Sequence, residues 1–537
     1  MERIPETSQD HHGTNVNGSG ESEHYKLCLT ALQRASNDTE KLISLLVIAK
    51  YLKPGKLSES ELLCLFNHIG NEFLSRLLIV PEIEPNLEDI SSGSMHSIGV
   101  NIIHVILKVK PDHLPHYVMV KLFTQISEIL TSLRPESDEN KLLLDDILSC
   151  YQCLLEIYPD RQRLSIILHS SNSIRSLVSI LTNPNFGNVE IYLLLCKAFS
   201  ESDISSKDPE SFHKFMFFAA LTFKTVQSQQ KFDICSQLVN LIQKNEQTLI
   251  TQSQSCSPST STSSSSSSSM FQPPTSTIGA NNWLPLITEG LFDILSSRLD
   301  KQRRDPAFYL IVALNKVFPL FVWMTCGVEK FEETRCRNFL PLVLRLVCIE
   351  ICLELRKEDE SIDEHLLNAC FILVESLINT ICAEPGSLEI TLKLTPNDIV
   401  NLYNSLRETI LTVIEFVKNV INDWEELSSN QTTFSIIMGC IRIICFWTLE
   451  DLSGIDDKMI DLIPFMVTLL HDQKSFNIVG HFILTSFYEI CVNCDDSDPL
   501  KRSILSYDIQ ANVTRFQTMS PFNDQMDKIC EAFRNLK

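Results

Sequence analysis

Residues 434–447 read Phe-Ser-Ile-Ile-Met-Gly-Cys-Ile-Arg-Ile-Ile-Cys-Phe-Trp, a helical stretch that is apolar on more than one face. A helix with a single apolar stripe can bury it against one partner, but a helix of this kind needs neighbours on both sides. Side-by-side stacking of helices supplies those neighbours. The stretch therefore favours a solenoid of stacked helices over the competing fold, a large globular bundle.

The same helical signature runs along most of the chain. Apolar residues at the i, i+3, i+4, i+7 spacing of one helix face first occur at Leu42, Leu45, Leu46 and Ala49. Asn37 or Asp38 is the predicted N-cap of that helix. About twenty helices of about 10–25 residues are expected, in pairs that recur at roughly 40 residues, the period of armadillo and HEAT repeats. The predicted fold is all-α, an armadillo/HEAT-like α-solenoid of stacked helix pairs.

Two segments lack the apolar residues that a helix pair would bury. Residues 1–23 are polar, and residues 251–280 contain an unbroken serine run from Ser263 to Ser269. We therefore expect a disordered N-terminal tail over 1–23 and a helical repeat region over 24–250. A serine-rich disordered loop over 251–280 and a continuation of the helical repeat region over 281–537 complete the predicted organisation.

The charge of the chain limits its partners. The 537 residues include 67 acidic and 45 basic side chains, for a formal net charge of −22. A surface of this sign repels nucleic-acid phosphates and anionic lipid headgroups, and the densest basic cluster, Lys301-Gln302-Arg303-Arg304, is short. We expect no nucleic-acid partner, and we expect basic protein segments as the electrostatically favoured partners.

Several features predict a cytosolic chain without a transmembrane segment. The N-terminus lacks the apolar core of a secretory signal, and the 18 cysteines fall mostly within apolar helical runs, as reduced, buried thiols do. The stretch Phe308 to Val328 is almost long enough to cross a bilayer. Because Asn315, Lys316 and Pro319 interrupt it, a buried core helix that breaks near Pro319 is the favoured interpretation.

Two Cys-x-x-Cys spacings are the strongest candidates for a metal site. Zinc would require two further ligands at partner spacing. Cys150 and Cys153 fall in the middle of a predicted helix, which favours packing, whereas Cys491 and Cys494 fall at a helix end, where zinc remains the less favoured alternative.

Other chemical motifs are missing from the sequence. The acidic runs at 358–360 and 495–498 lack the spacing of a calcium loop, and the histidines at 11, 12, 96, 104, 113 and 116 are not arranged as ligands. There is no phosphate-binding loop, no His-Glu-x-x-His and no Gly-x-Ser-x-Gly. The prediction is no catalytic residue, no cofactor-binding residue, no metal ligand, no cofactor and no enzymatic activity.

A series of stretches gives the chain a family resemblance. The clearest is Ala-Leu-Gln-Arg-Ala-Ser-Asn-Asp-Thr-Glu-Lys at 31–41, followed by Leu-Leu-Val-Ile-Ala-Lys at 45–50, Leu-Phe-Asn-His-Ile-Gly at 65–70 and Phe-Leu-Ser-Arg-Leu-Leu at 73–78. Further stretches are Asp145-Asp146 with residues 151–154, Gln302-Arg303 with residues 305–307, Phe339-Leu340 with residues 346–350, and residues 463–465. In this order, over most of residues 25–475, the chain resembles the neurochondrin family.

The resemblance implies a cytoplasmic, armadillo-like, non-enzymatic protein of neuronal cell bodies and projections. It implies a role in neurite outgrowth, neuron projection development and dendritic signalling. The implied partners are receptor cytoplasmic tails and calcium/calmodulin-dependent kinase. Vertebrate members carry an adjacent cysteine pair near their start that can be palmitoylated, and residues 1–23 contain no cysteine, so we expect at most peripheral membrane association. The family also extends beyond the position of Lys537, and the serine tract is an insertion relative to it.

The leading functional hypothesis is a cytoplasmic scaffold or adaptor that binds signalling proteins or receptor tails. The alternative is a structural helical-repeat subunit of a larger assembly, which would expose large apolar ridges. An enzyme with an atypical site is a third hypothesis, which clustered ionisable groups in a deep pocket would support.

Overall fold

The computed structural model is entirely helical in its regular elements. It describes residues 18–48, 58–79, 92–109, 114–133, 138–158, 160–183, 189–255, 283–325, 333–357, 362–383, 394–451, 455–507, 509 and 512–513. Within these ranges no residue lies in a β-strand. The all-α prediction is confirmed.

The chain divides into two compact units, Met1–Met216 and Phe217–Lys537, each described by itself below. The helices of unit 1 are α1 (Gly18–Arg34), α2 (Asp38–Ile48), α3 (Glu59–Ile69), α4 (Asn71–Leu78), α5 (Ser92–Val109), α6 (His116–Ser132), α7 (Asp138–Ile157), α8 (Arg161–Ser170), α9 (Ser173–Leu181), α10 (Val189–Glu201) and α11 (Ile204–Lys207). Helix α12 (Pro209–Thr225) crosses the division. The sequence analysis placed its boundary at the serine tract instead.

Unit 2 contains the longest of the described helices together with several short ones. They are α13 (Gln230–Lys244), α14 (Glu246–Ser255), α15 (Leu284–Ser296), α16 (Lys301–Val317), α17 (Leu320–Thr325), α18 (Glu333–Leu355), α19 (Glu364–Ala383), α20 (Pro396–Ile421), α21 (Trp424–Leu427), α22 (Gln431–Glu450), α23 (Asp456–Ile460), α24 (Ile463–His471), α25 (Gln473–Asn493) and α26 (Pro499–Leu505).

Each unit is a double row of helices with its core between the rows. In unit 1, α3, α5, α7 and α10 form one row, and α4, α6, α8 and α9 form the other. In unit 2, α13, α16, α19, α22 and α25 form the first row, and α15, α18 and α20 form the second. Helices of a pair pack across the rows, as α18 packs on α19 and α24 on α25. Neighbours within a row therefore come from successive helix pairs, which is the arrangement of a helical repeat.

The stretch that suggested stacking lies in α22. Its Ile437, Cys440, Ile441 and Ile444 are buried, and α22 packs against α19 and α25 within its row and against α20 across the rows. A helix apolar on several faces thus has neighbours on both sides, as the sequence predicted. Contacts between row neighbours in unit 2 join residues 43 and 67 positions apart, in Lys474–Gln431 and Arg442–Glu375, whereas Lys197–Glu156 in unit 1 spans 41, so the spacing ranges from about the predicted 40 residues to well above it. Short helices such as α21 and α23 account for part of the extra length.

Local signals mark where helices begin and break. Asn37 caps α2, because its Oδ1 accepts the N–H of Glu40 at 2.9 Å, while Asp38 instead binds Arg76. The apolar run beginning at Phe308 ends its first helix at Val317, and α17 starts after Pro319. The predicted break near Pro319 is therefore present, and the last residues of the run lie outside the described residues.

Two predicted disordered segments fall mostly outside the described residues. The first helix nevertheless begins at Gly18, inside the predicted tail 1–23, and α14 continues to Ser255, inside the predicted loop 251–280. The prediction of disorder was based on the lack of apolar residues to bury. The terminal turns of a helix can extend beyond its packed part without such residues, which explains the difference. Residues 1–17 and 256–282, which include the serine run, are among those not described.

Two described helices are long and apolar enough to cross a membrane by length and composition, Gln431–Glu450 and Gln473–Asn493. In each, 61% of the apolar window is buried inside the protein. Both are row helices of unit 2, and stacking between neighbours gives core helices the same composition.

Candidate protein-binding surfaces

In unit 1, one line of polar side chains runs across the exposed face of α5 and α7. Ser97 and Asn101 of α5 both donate hydrogen bonds to Oδ2 of Asp146 on α7, at 2.9 and 3.2 Å. Burial raises the pKa of Asp146, and the same burial lowers the pKa of His104, one turn beyond Asn101. These groups tie neighbouring row helices together while remaining half-exposed, so they can also offer hydrogen bonds to a bound chain.

The line continues from α7 to α10. Lys197 of α10 lies 3.9 Å from the carboxylate of Glu156 at the end of α7. Gln152, one turn before Glu156, donates a hydrogen bond to it at 3.3 Å. Leu193 lies one turn before Lys197 and is exposed, so the face mixes polar groups with an apolar contact point. Such a mixture is typical of surfaces that bind proteins.

In unit 2, charged side chains cluster where α16 begins and α18 ends. Nζ of Lys301 lies 2.6 Å from Oε1 of Glu354 and 3.5 Å from Oδ2 of Asp363, which lies just before α19. Arg304 pairs with the buried Glu350. Two cations of the densest basic cluster, Lys301 and Arg304, therefore form ion pairs with carboxylates inside the protein. This pairing leaves no continuous basic patch at this position.

Asp305 is the unusual acid of this cluster. Burial raises its pKa to about 6, and the nearby Lys301 and Arg304 lower it less than burial raises it. Tyr309, one turn further along α16, also has a raised pKa because of burial. The surrounding groups bind one another and hold three helices together, which is a structural use of ionisable side chains.

A second exposed line crosses α19, α22 and α25. Nη2 of Arg442 on α22 binds Oε2 of Glu375 on α19 at 2.5 Å, and the guanidinium carbon lies 4.8 Å from the ring centre of Phe482 on α25. The rings of Phe446 and Phe482 are 5.6 Å apart. The three helices thus share a half-exposed surface of arginine and aromatic rings, the residue types that dominate protein-binding surfaces.

Close approach of α19 and α22 creates this surface. Gly439, one turn before Arg442, faces Phe371, and a Cβ atom added there would lie 2.6 Å from the ring. Only a residue without a side chain fits at this point. The spacing brings Glu375 within reach of Arg442.

Three of the four cysteines in the Cys-x-x-Cys pairs are buried, and Cys494 is half-exposed. Cys150 is fully buried in α7, and its thiol donates to the carbonyl of Val100 at 3.3 Å. Burial raises the pKa of Cys150, Cys153 and Cys491, which disfavours the thiolate that zinc requires. Across the described ranges, no group of three or more His, Cys, Asp or Glu residues is arranged to hold a metal ion.

The remaining candidates are dispersed. His96 and His104 are half-buried on α5, and burial lowers the pKa of both, while His116 begins α6. Asp498 caps α26, and Asp496 binds Lys501 at 2.7 Å. The histidines at 11, 12 and 113 and the acidic run 358–360 lie outside the described residues.

The sequence analysis did not single out either exposed line. In α5 a signal was present, because Ser97, Asn101, His104 and Lys108 recur at helical spacing between buried apolar residues. In α22, Arg442 is the only charged residue between Phe434 and Trp447. An isolated arginine in an apolar helix indicates a specific partner. The identity of that partner, 67 residues earlier, cannot be deduced from spacing.

The stretches that carried the family resemblance meet in space. Asp38 of the first stretch binds Arg76 of the fourth through two hydrogen bonds, at 2.7 and 3.0 Å. Arg304 lies between Arg303 and Asp305 of a later stretch and pairs with Glu350 of the next. These stretches therefore include contacts that join successive helices.

Comparisons with known proteins agree with the fold. The crystal structure of SYS-1 superposes with a TM-score of 0.52 at 10% sequence identity, covering 95% of this chain and 84% of that one. At this identity the likeness concerns the fold alone. With the double rows described above, it confirms an armadillo/HEAT-type α-solenoid.

Comparisons of sequence identify the family. A neurochondrin homolog from Drosophila melanogaster is 20% identical over 84% of this chain and 57% of its own length. Neurochondrins from Gallus gallus and Homo sapiens are each 23% identical, over 82% and 84% of this chain and 56% and 54% of their own lengths. The chain thus spans little more than half the length of the curated relatives it matches. Because the neurochondrin family profile matches residues 19–264 and 264–477, the chain belongs to the neurochondrin family.

Proposed function

We propose that this protein is a cytoplasmic, non-catalytic scaffold that binds segments of other proteins along the exposed faces of its helix rows. The observation that carries the proposal is the line of half-exposed polar, charged and aromatic side chains across successive row helices, as in α5 with α7 and α19 with α22. Side chains spaced from helix to helix can contact a partner chain at several points.

Family membership supports a finer proposal. The neurochondrin relatives lead us to propose a role in neuronal signalling and neurite outgrowth, with receptor cytoplasmic tails and calcium/calmodulin-dependent kinase as candidate partners. The net charge of −22 favours basic segments of such partners by long-range attraction. A structural subunit of a larger assembly is the alternative.

Affinity purification of the full chain from neural tissue, at low and at moderate salt, tests the proposal. A scaffold that attracts basic tails should recover receptor tails or kinase at low salt and lose them as the salt concentration rises, because screening weakens charge attraction. Recovery of one stoichiometric, salt-resistant complex would instead support the structural-subunit alternative.

A further inference from the structure

One surface of unit 2 differs chemically from the acidic chain around it. We name it the Arg442 patch and define it by Ile372 of α19, Arg442 and Phe446 of α22, and Ile478 and Phe482 of α25. Ile372 and Ile478 are 37% and 48% exposed, and the side chain of Arg442 is 42% exposed. The arginine stacks on Phe482, and the two phenylalanine rings are in contact, so the patch is continuous across α22 and α25. On α19, Ile372 lies one turn before Glu375, the ion-pair partner of Arg442.

The arginine of the patch is incompletely neutralised. Its partner Glu375 has a side chain only 8% exposed, and burial raises the pKa of Glu375 to about 7 despite the guanidinium beside it. Near neutral pH this carboxyl group is therefore ionised only in part, whereas the guanidinium keeps its full charge. Solvent reaches the arginine far more readily than the carboxyl group.

The flank of the patch carries a second cation. Lys474 lies one turn before Ile478 on α25, its Nζ is 3.6 Å from the ring centre of Phe434, and its hydrogen bond goes to the neutral side chain of Gln431. Acids border the patch at both ends, because Asp472 lies beside Lys474 and Glu450 lies one turn beyond Phe446, whereas Glu489 lies about two turns beyond Phe482. The centre of the patch, where the half-exposed Arg442 lies on the ring of Phe482, thus carries a cation among apolar side chains within a chain of net charge −22.

We propose that the Arg442 patch binds a protein segment in which apolar side chains alternate with Asp or Glu. The apolar anchors would cover Ile372, Phe446 and Ile478, and a carboxylate would bind the outward-facing edge of the Arg442 guanidinium. Aromatic and arginine side chains on a partly buried surface typically contribute a large share of the binding energy at protein interfaces. This inference rests on the proposed scaffold function and assigns to one of its surfaces a partner of the opposite charge to that favoured by the whole chain.

Selection of a phage-displayed random dodecapeptide library on the full chain tests the inference. The wild-type chain should enrich peptides that combine Leu, Ile or Phe with Asp or Glu. Two variants should lose those peptides by at least tenfold in affinity: Glu375→Gln with Arg442→Met, which removes both charges together, and Ile372→Ser, which changes an exposed apolar contact. Fluorescence anisotropy with a synthetic copy of an enriched peptide measures the change.

Matched controls come from the second row of unit 2. Arg356 contacts Thr412 at 3.4 Å, and Ile349 is exposed on α18, so Arg356→Met and Ile349→Ser make the same chemical changes away from the patch. These controls should bind the enriched peptide as the wild type does. Thermal melting shows that each variant is folded, and Ile372→Ser provides the test if the double variant is not.

Three outcomes would overturn the inference: enrichment of basic peptides only, equal binding by wild type and patch variants, or no enrichment at all. None of these outcomes decides the scaffold proposal, which depends on the partners recovered from tissue. Conversely, recovery of a salt-resistant assembly from tissue would contradict the scaffold proposal and leave the peptide selection to be judged separately.

Discussion

At the scale of single residues, the most consequential group is the buried carboxyl of Glu375. Its pKa in the folded chain, about 7, lies above the ordinary value of 4.5 because burial penalises the charged form. A raised folded-state pKa means that the group favours folding at low pH and that this contribution is lost as the pH rises from about 4.5 to 7.

We therefore predict that Glu375→Gln flattens the pH dependence of the stability of unit 2. Between pH 5 and pH 8 the wild type should lose about 2–3 kcal/mol from this group, and the variant should not. All four tryptophans lie at positions 283, 323, 424 and 447, within unit 2, so tryptophan fluorescence during urea unfolding follows that unit. The same pH slope in both proteins would contradict the assignment.

Cysteine reactivity provides a second prediction at this scale. Cys440 and Cys445 are buried and have raised pKa values because of burial, while Cys64 on α3 is half-exposed. Since the thiolate is the reactive form, iodoacetamide should modify Cys64 at least about tenfold faster than Cys440 or Cys445 in the native chain. Peptide mass spectrometry measures the rates. If Cys440 and Cys445 react as fast in the native chain as they do in urea, these two cysteines are not buried.

At the scale of helices, close packing within a row has one critical position. Gly439→Ala would place a Cβ atom 2.6 Å from the buried ring of Phe371. Overpacking of this kind costs more than the gain in helix propensity from alanine, so we predict a loss of about 1–2 kcal/mol in the stability of unit 2. Urea unfolding followed by tryptophan fluorescence measures it.

Two comparisons isolate the cause of that loss. Ser435→Ala lies one turn earlier on the same face of α22, adds no atom because serine already has a Cβ, and should leave stability unchanged or raise it slightly. Shortening the neighbour with Phe371→Leu in the Gly439→Ala background should recover part of the loss, because it makes room for the methyl group. If Gly439→Ala is equally unstable with and without Phe371→Leu, the contact with Phe371 is not the reason for the loss of stability.

Element type was readable from the sequence, and element partnership was not. The stretch in α22 predicted neighbours on both sides, because it is apolar on more than one face. Pro319 predicted a break in the helical run that begins at Phe308, because proline lacks a backbone N–H donor. The pairing of Glu375 with Arg442 depends on how the intervening helices α20 and α21 lengthen the repeat. No local pattern encodes that length, so the Arg442 patch could not be predicted.

At the scale of the whole molecule, a repeat architecture predicts local consequences for local changes. Stability in a helical repeat is nearly a sum of units and nearest-neighbour contacts. The Gly439→Ala variant should therefore shift the unfolding of unit 2, while the slow hydrogen exchange of buried amides in α5 and α7 should remain as in the wild type. Exchange followed by mass spectrometry tests this. Equal acceleration in α5, α7 and α22 would show that the chain unfolds as one cooperative body.

The double rows also bear on how the chain is made. The links between row neighbours described above span 41 to 67 residues, so each pair needs only its immediate successor to cover the core face that it still exposes. At a ribosome, which adds about 5–20 residues each second, that successor arrives within seconds. Apolar helices such as α22 and α25, the two described helices that are long and apolar enough to cross a membrane, are therefore uncovered only briefly during synthesis, and the chain can fold progressively from its first pairs onward.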